Sequence, residues 1–326
     1  MKHLSKIILA ICTLVTIVGC DSLIYDDNKD CPQGVYVSFY SKTPCEEKAI
    51  YPSVEHLEVF AFDKDGILAG MQAVDNPKLA ADYELYMPLP EGYYTFVAWT
   101  GLNKECLDRT NLQIGTTKKT DLLFSIKEKA GFADVNPVPG FKIYQGISEM
   151  VYLPSNKNNG TVERHTKINL LEQTNRINVS IVGLKEPSNF EVRIYSANGS
   201  MNADGDITMN KNVIQYPGIA TTNPEEKQLV SKFNTLKLKT GYKNILEVYD
   251  KFQKKIIFRA DLVGSILLSK ADDHDTNINL DCTHDFDIKL FVRDVCNCDD
   301  YTFISCEVNL IKWSIHSYNI GLGDTY

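Results

Sequence analysis

Arginine is missing from the first third of this chain. Only six arginines occur in 326 residues, and none lies between Cys20 and Asp108; the first is Arg109. An arginine-specific protease therefore has no site in that stretch. Lysine and arginine together number 34 against 42 aspartates and glutamates, a net charge of −8, so the basic footprint of a nucleic-acid binder is absent. Also lacking are the phosphate loop G-x-x-x-x-G-K-[ST], the dinucleotide loop G-x-G-x-x-G, the nucleophile elbow G-x-S-x-G and the zinc motif H-E-x-x-H. The six histidines are scattered. A Ser-His-Asp triad can be assembled on paper from any chain this rich in Ser and Asp, so without a local signature neither catalysis nor a cofactor is expected. No stretch after the first twenty residues is apolar enough to span a bilayer.

Those twenty residues are different. Lys2 and Lys6 make a positive end, Ile7 to Val18 is an unbroken run of apolar and small residues, and Gly19 precedes Cys20. The run is a secretion signal of the lipoprotein kind. Twelve residues rise only about 18 Å as a helix, short of the roughly 30 Å of hydrocarbon in a membrane. Cleavage between Gly19 and Cys20 would leave Cys20 as an acylated N-terminus, whereas ordinary secretion would leave it without a role. The signal spans 1–19 and removes two lysines and no acid, so the mature chain carries 34 − 2 = 32 bases against 42 acids, a net −10. Residues 20–32, with Asp26, Asp27 and Asp30, read as a lipidated tether.

Cysteine usage suits an oxidising compartment. Cys12 leaves with the signal, and seven remain beyond Cys20: Cys31, Cys45, Cys106, Cys282, Cys296, Cys298 and Cys306. The odd number leaves at least one thiol unpaired. Cys31 with Cys45 is the favoured N-terminal pair, because a short loop carrying a strand could be clipped at both ends. His284 near Cys282 and the Cys296-Asn297-Cys298 turn raise a metal alternative, but C-x-C is a poor zinc spacing. Disulfides or free thiols are the better reading of that cluster, and no metal site is assigned.

Period-two alternation begins at Gly34, where Val35, Val37 and Phe39 alternate with Tyr36, Ser38 and Tyr40. Further strands are expected over Val54–Phe62, Ile67–Val74, Tyr83–Met87, Tyr93–Trp99, Asp121–Ile126 and Ile143–Leu153. Asp63-Lys64-Asp65-Gly66 reads as a hairpin turn, not a calcium loop, since Asp-Gly supplies the positive φ a tight turn needs. Tyr93 to Trp99 carries aromatics on both faces, which predicts a central strand with Trp99 in the core. Ser155 to Thr166 is polar and unpatterned, the expected linker between sandwiches at 33–155 and 166–326. Strands resume around Ile168 and Leu170, then at Ile177–Ile181, Phe190–Ala197, Lys227–Leu238, Ile245–Asp250, Ile256–Ala260, Phe286–Val292 and Thr302–Trp313. Leu262–Ser269 reads as a short helix. Asn202 to Asp206 is a loop with calcium binding as its alternative. Many short strands and few helices mean an all-β protein of β-sandwiches.

Three segments in this order resemble one family. They are the lipoprotein signal followed by Ile24-Tyr25-Asp26-Asp27 and Asp30-Cys31 ahead of Gly34–Phe39, then Leu57–Gly66, then Met87–Gly101. Together they are similar to the fimbrillin-associated anchor subunits of type V pili. The resemblance implies two tandem transthyretin-like β-sandwich domains held on the cell outer membrane by the lipid on Cys20. It implies partners too: the bilayer, and stalk or accessory subunits of the pilus joined by strand addition. Stalk subunits lose their first strand by proteolysis, commonly after Arg. With no arginine before Arg109, this chain is expected to keep its lipid and first strand and to end the fibre at the membrane. Thr302–Trp313 and the tail after it are candidate joints. The alternatives are a surface adhesin or glycan- or protein-binding lipoprotein, with a groove lined by exposed aromatics, and a tip or stalk subunit of the same fibre.

Overall fold

The computed structural model describes residues 32–101, 107–134, 142–157, 160–208, 212–268 and 278–294, and the backbone of 301–310. In the first half lie β1 (Gln33–Tyr40), β2 (His56–Asp63), β3 (Leu68–Asp75), β4 (Glu84–Pro88), β5 (Gly92–Thr100), β6 (Leu107–Arg109) and β7 (Leu123–Ile126). There follow β8 (Glu128–Lys129), β9 (Phe132–Ala133), β10 (Tyr144–Ile147), β11 (Val151–Leu153), β12 (Val162–Asn169) and β13 (Leu171–Glu172). The second half holds β14 (Thr174–Val182), β15 (Phe190–Ser196), β16 (Ser200–Asn202), β17 (Ile214–Tyr216), β18 (Gly218–Asn223) and β19 (Gln228–Leu236). Then come β20 (Asn244–Asp250), β21 (Lys255–Asp261), helix α1 (Leu262–Leu268), β22 (Asp285–Asp294) and β23 (Tyr301–Leu310). The fold is all-β, arranged as two tandem sandwiches.

The first sandwich packs the sheet β12-β1-β4 on the sheet β13-β10-β5-β2-β3, with β11 extending β5. Alternation explains it. Val35, Val37 and Phe39 of β1 meet Leu57, Val59 and Ala61 of β2 and Phe96 and Ala98 of β5 in one dry core. The second sandwich packs β18-β19-β14-β22-β23 on β21-β20-β15-β17-β9-β8. Its core runs through Ile177, Val179, Ile194, Leu246, Phe286 and Leu290, and α1 adds Leu262, Val263 and Ile266.

The two cores are not separate bodies. The outward residues of β2 and β5, Phe60, Phe62, Val97 and Trp99, belong to the same apolar cluster as the second sandwich. A small sheet, β16-β7-β6, lies over them. Trp99 is 1% exposed, and its ring sits 4.2 Å from that of Phe124 on β7. The aromatics on both faces of β5 thus mark a strand buried on both sides, with Trp99 in the core.

Three expectations change. Ser155–Thr166 is not a linker throughout, because β12 begins at Val162 and runs parallel to β1 from Gln33↔Val162 to Tyr40↔Asn169. The first sandwich then keeps β13, paired with β10, and gives β8 and β9 to the second sandwich's sheet, so a boundary at 166 cuts through a strand. Ile143–Leu153 is two strands, both on β5. Between them the Ser148 hydroxyl accepts a hydrogen bond from the Phe96 amide at 2.9 Å, which satisfies the donor that the break leaves without a ladder partner. The Asp63 turn is a hairpin as expected: Asp63 Oδ1 accepts from the amides of Asp65 (2.9 Å) and Ile67 (2.8 Å), and Gly66 has φ of 74°.

Since Trp99 seals the shared core, Trp99→Ala is expected to cost about 3–5 kcal/mol of unfolding free energy. Urea titration measures it, and a loss below about 1 kcal/mol would mean that the ring is not packed as described.

Candidate functional site at the seam between the sandwiches

The seam lies where β1 ends and β14 begins. Covalently, Cys45 in the loop after β1 is joined to Cys282 just before β22, across 237 residues. This replaces the expected pairing of Cys31 with Cys45, which rested on nearness in sequence, and nearness in space follows the strands instead. In the chain-entropy picture a loop this long is stabilised by on the order of 5 kcal/mol when closed. It also removes Cys282 from any metal set with His284. Cys20, Gly19, Cys31, Cys106, Cys296 and Cys298 lie outside the described residues, and Cys306 falls within β23.

Charge holds the same seam. Arg176 on β14 grips Asp285 through Nε (2.5 Å) and Nη2 (2.8 Å), and Glu172 on β13 through Nη1 (2.5 Å). Glu172 is buried, yet it also accepts from the Thr174 hydroxyl at 2.8 Å and faces Lys142 at 3.9 Å. A buried carboxylate is tolerable only with such partners. Lys237, almost wholly buried, reaches Asp281 at 2.6 Å. Hydrogen bonds from Arg176 hold Asp285 below its ordinary range, and those from Lys237 do the same for Asp281. Burial, with Glu172 beside it, pushes the Tyr144 phenol up to about 12.

The Asn202–Asp206 loop is part of the seam as well. Asn202 Oδ1 accepts from the amides of Asp204 and Asp206, each at 2.9 Å. The two carboxylates face cations of the protein, Asp204 with Lys119 at 2.5 Å and Asp206 with Lys239 at 3.1 Å. Both acidic side chains of the loop are thus engaged by lysines of the protein, in keeping with its reading as a loop. Gly205 packs against the seam glutamines: an added Cβ would come within 2.7 Å of Gln145 Oε1. Gln145 in turn donates to the Ala203 carbonyl at 2.8 Å. Beside this loop β16 pairs with β7, and β17 pairs in parallel with β9.

Two of the described histidines, His56 and His165, serve as ties. His56 bonds Asp75 at 2.6 Å across β2 and β3, and His165 bonds Glu84 at 2.9 Å while stacking on Tyr36. His284 is half-buried, with both ring nitrogens shielded from solvent and without a hydrogen-bond partner among the described residues. Exposed aromatics among the described residues are Tyr51, Tyr93, Phe132, Tyr152 and Phe252. The rings of Tyr93 and Tyr152 pack on each other at 4.7 Å.

This geometry defines a class: a tandem β-sandwich scaffold whose seam is held by a disulfide and by paired charges. The model of the fimbrillin-A associated anchor proteins Mfa1 and Mfa2 matches residues 28–319. The minor fimbrium anchoring subunit Mfa2 of Porphyromonas gingivalis is 37% identical over 329 residues, spanning 98% of this chain and 99% of that one. This chain belongs to that family of anchor proteins. The solved fimbrial anchor protein Mfa2 of Porphyromonas gingivalis superposes with a TM-score of 0.77 at 38% identity, covering 88% of this chain and all of that one. A Bacteroides thetaiotaomicron structure described as a putative polysaccharide-binding protein has the same fold, with a TM-score of 0.72 at 20% identity over 89% of this chain and 99% of that one.

The seam sets an acid sensitivity. Burial chiefly holds the His284 pKa below its usual value; Lys237 and Arg176 push it down further, against Glu172 and Asp285. Below an ordinary histidine pKa of about 6.5, the unfolded chain binds a proton that the folded one refuses, so stability falls as pH drops through that value. Asp281 and Asp285 have depressed folded values, so their contribution is present above ordinary carboxylate pKa values, about 4, and disappears as pH falls further. Melting temperature is expected to fall in two stages, and His284→Leu should remove the first. An unchanged slope between pH 7.5 and 5 in that variant would show that His284 is not responsible.

Proposed function

We propose that this chain is an outer-membrane lipoprotein that fixes a type V pilus to the cell and ends the fibre at its base. Family membership supports the anchoring role, since the relative at 37% identity carries that description. The finer reading rests on one observation, the position of β1. It lies between β12 and β4, in register with both, and buries Val35, Val37 and Phe39. A subunit that gave up its first strand would open its own core. Upstream of β1 the chain offers no arginine back to Cys20. Arg109, the first available, is bound to Glu58 and lies over the Phe60 ring at 5.6 Å.

Retention of β1 keeps the acyl group on Cys20 joined to both sandwiches. The fibre then needs a joint elsewhere. β23 ladders with β22 and ends its sheet, which supports its use, with the tail after it, as the edge where a stalk or accessory subunit adds a strand.

Cells treated with an arginine-specific protease are expected to keep this chain at its mature length; shortening near residues 30–50 would sink the terminator reading. Cys20→Ala should release protein and pili into the medium, scored by fractionation and electron microscopy. Deletion of His316–Tyr326 should leave a folded, lipidated protein without pili, and normal piliation in that strain would move the joint away from the tail.

A further inference from the structure

We propose that the Cys45–Cys282 disulfide is a mechanical bypass, carrying pilus tension around the folded body of the protein instead of through it. The idea rests on the anchor reading, in which load enters at Cys20 and leaves at or beyond β23. In a chain without a cross-link, tension between those points passes through every residue, and each sandwich can be drawn out in turn. Here the shortest covalent path runs from Cys20 to Cys45, crosses the sulfur bridge, and continues from Cys282. The 237-residue span between the bridged positions is a closed loop off that path. Only residues 21–45 and 283–326, 25 and 44 in number, lie on the loaded line.

The placement of the bridge fits this task. On the entry side the loaded segment contains β1, which is hydrogen-bonded along both edges. Tension there runs along the strand and is opposed by two ladders at once. On the exit side Asp285 begins β22 three residues after Cys282, and β22 is held in parallel register with β14 over Arg176↔Asp285 to Val182↔Phe291. The Arg176–Asp285 pair clamps the point where load would enter that strand. Most of the shared core, the seam charges other than Asp285, and β6 to β9 and β16 to β18 fall within the bypassed loop.

The test is single-molecule pulling of the mature chain held at residues 20 and 326. Without reductant, extension from the loaded segments should stop at about 25 nm, taking about 3.6 Å per residue. After reduction of the folded protein, or in the Cys45→Ser, Cys282→Ser double variant, about 85 nm more should be released by the same measure. An unreduced chain that gives out its full length overturns the proposal. On cells under shear, the double variant should shed pili at forces the parent withstands, with equal surface protein and lipidation. Reducing the parent in place gives the same comparison without a folding step in the altered sequence. Equal retention in both would refute the bypass while leaving the anchor standing. Pili retained by Cys20→Ala would instead refute the anchor.

Discussion

Both faces of the β2–β5 pair are dry, and most of the architecture follows from that one condition. A two-stranded ribbon carrying Leu57, Val59, Ala61, Phe96 and Ala98 on one side and Phe60, Phe62, Val97 and Trp99 on the other cannot be the outer wall of anything. Burial is worth roughly 25 cal/mol per Å² of apolar surface, so leaving either face wet would be a large loss for a ribbon this apolar. The first face is covered by β12-β1-β4. The second is covered by β6, β7 and β16, which carry the chain into the second sandwich's core. Two sandwiches that share an apolar cluster are expected to move as one, where domains joined by a thin polar interface swing.

The polar part of the seam then acts on alignment more than on adhesion. Exposed ion pairs contribute little, but Glu172 and Lys237 are buried, and removing a partner would strand a charge in a poor solvent. Arg176 meets Glu172 from the first sandwich and Asp285 from the second, with geometry that tolerates little rotation. Apolar contact holds the halves together, and this fork selects one orientation. His284 lies in the same place, half-buried, with its ring nitrogens unpartnered among the described residues.

What could be read from the sequence is whatever leaves a local trace. Period-two runs marked β1, β2, β5, β14 and β15, and aromatics on both faces of β5 marked a strand buried twice. The Asp63 turn announced itself by Asp-Gly. Missed elements share a physical character. β12 reads as polar because Glu163, Arg164, His165 and Lys167 point to water, and its partner β1 is more than a hundred residues away. Short strands such as β6, β8, β9, β16 and β17 have too few residues to show a period. The pairings of Cys45 with Cys282, Asp204 with Lys119 and Asp206 with Lys239 join loops that only the finished topology brings together. Chemistry that depends on long-range closure has no signature at short range.

One consequence connects the scarce arginine to the bridge. In the proposed anchor, membrane attachment and core would lie on one uninterrupted polypeptide, so a pull on the lipid would be a pull on β1. Parallel pairing with β12 and antiparallel pairing with β4 let β1 resist along its axis, where many hydrogen bonds must break together. Yet hydrogen bonds in water are individually worth only about 1 kcal/mol, and ladders under steady load fail in time. A covalent exit at Cys45, five residues beyond the end of β1, limits what such a failure can release. In the proposed anchor, arginine-free sequence ahead of β1 would shield the attachment from an arginine-specific protease, and the sulfur bridge behind β1 would shield the body from traction. Each safeguard would be of little use without the other, because a tether that is cut bears no load and a body that unravels holds no fibre.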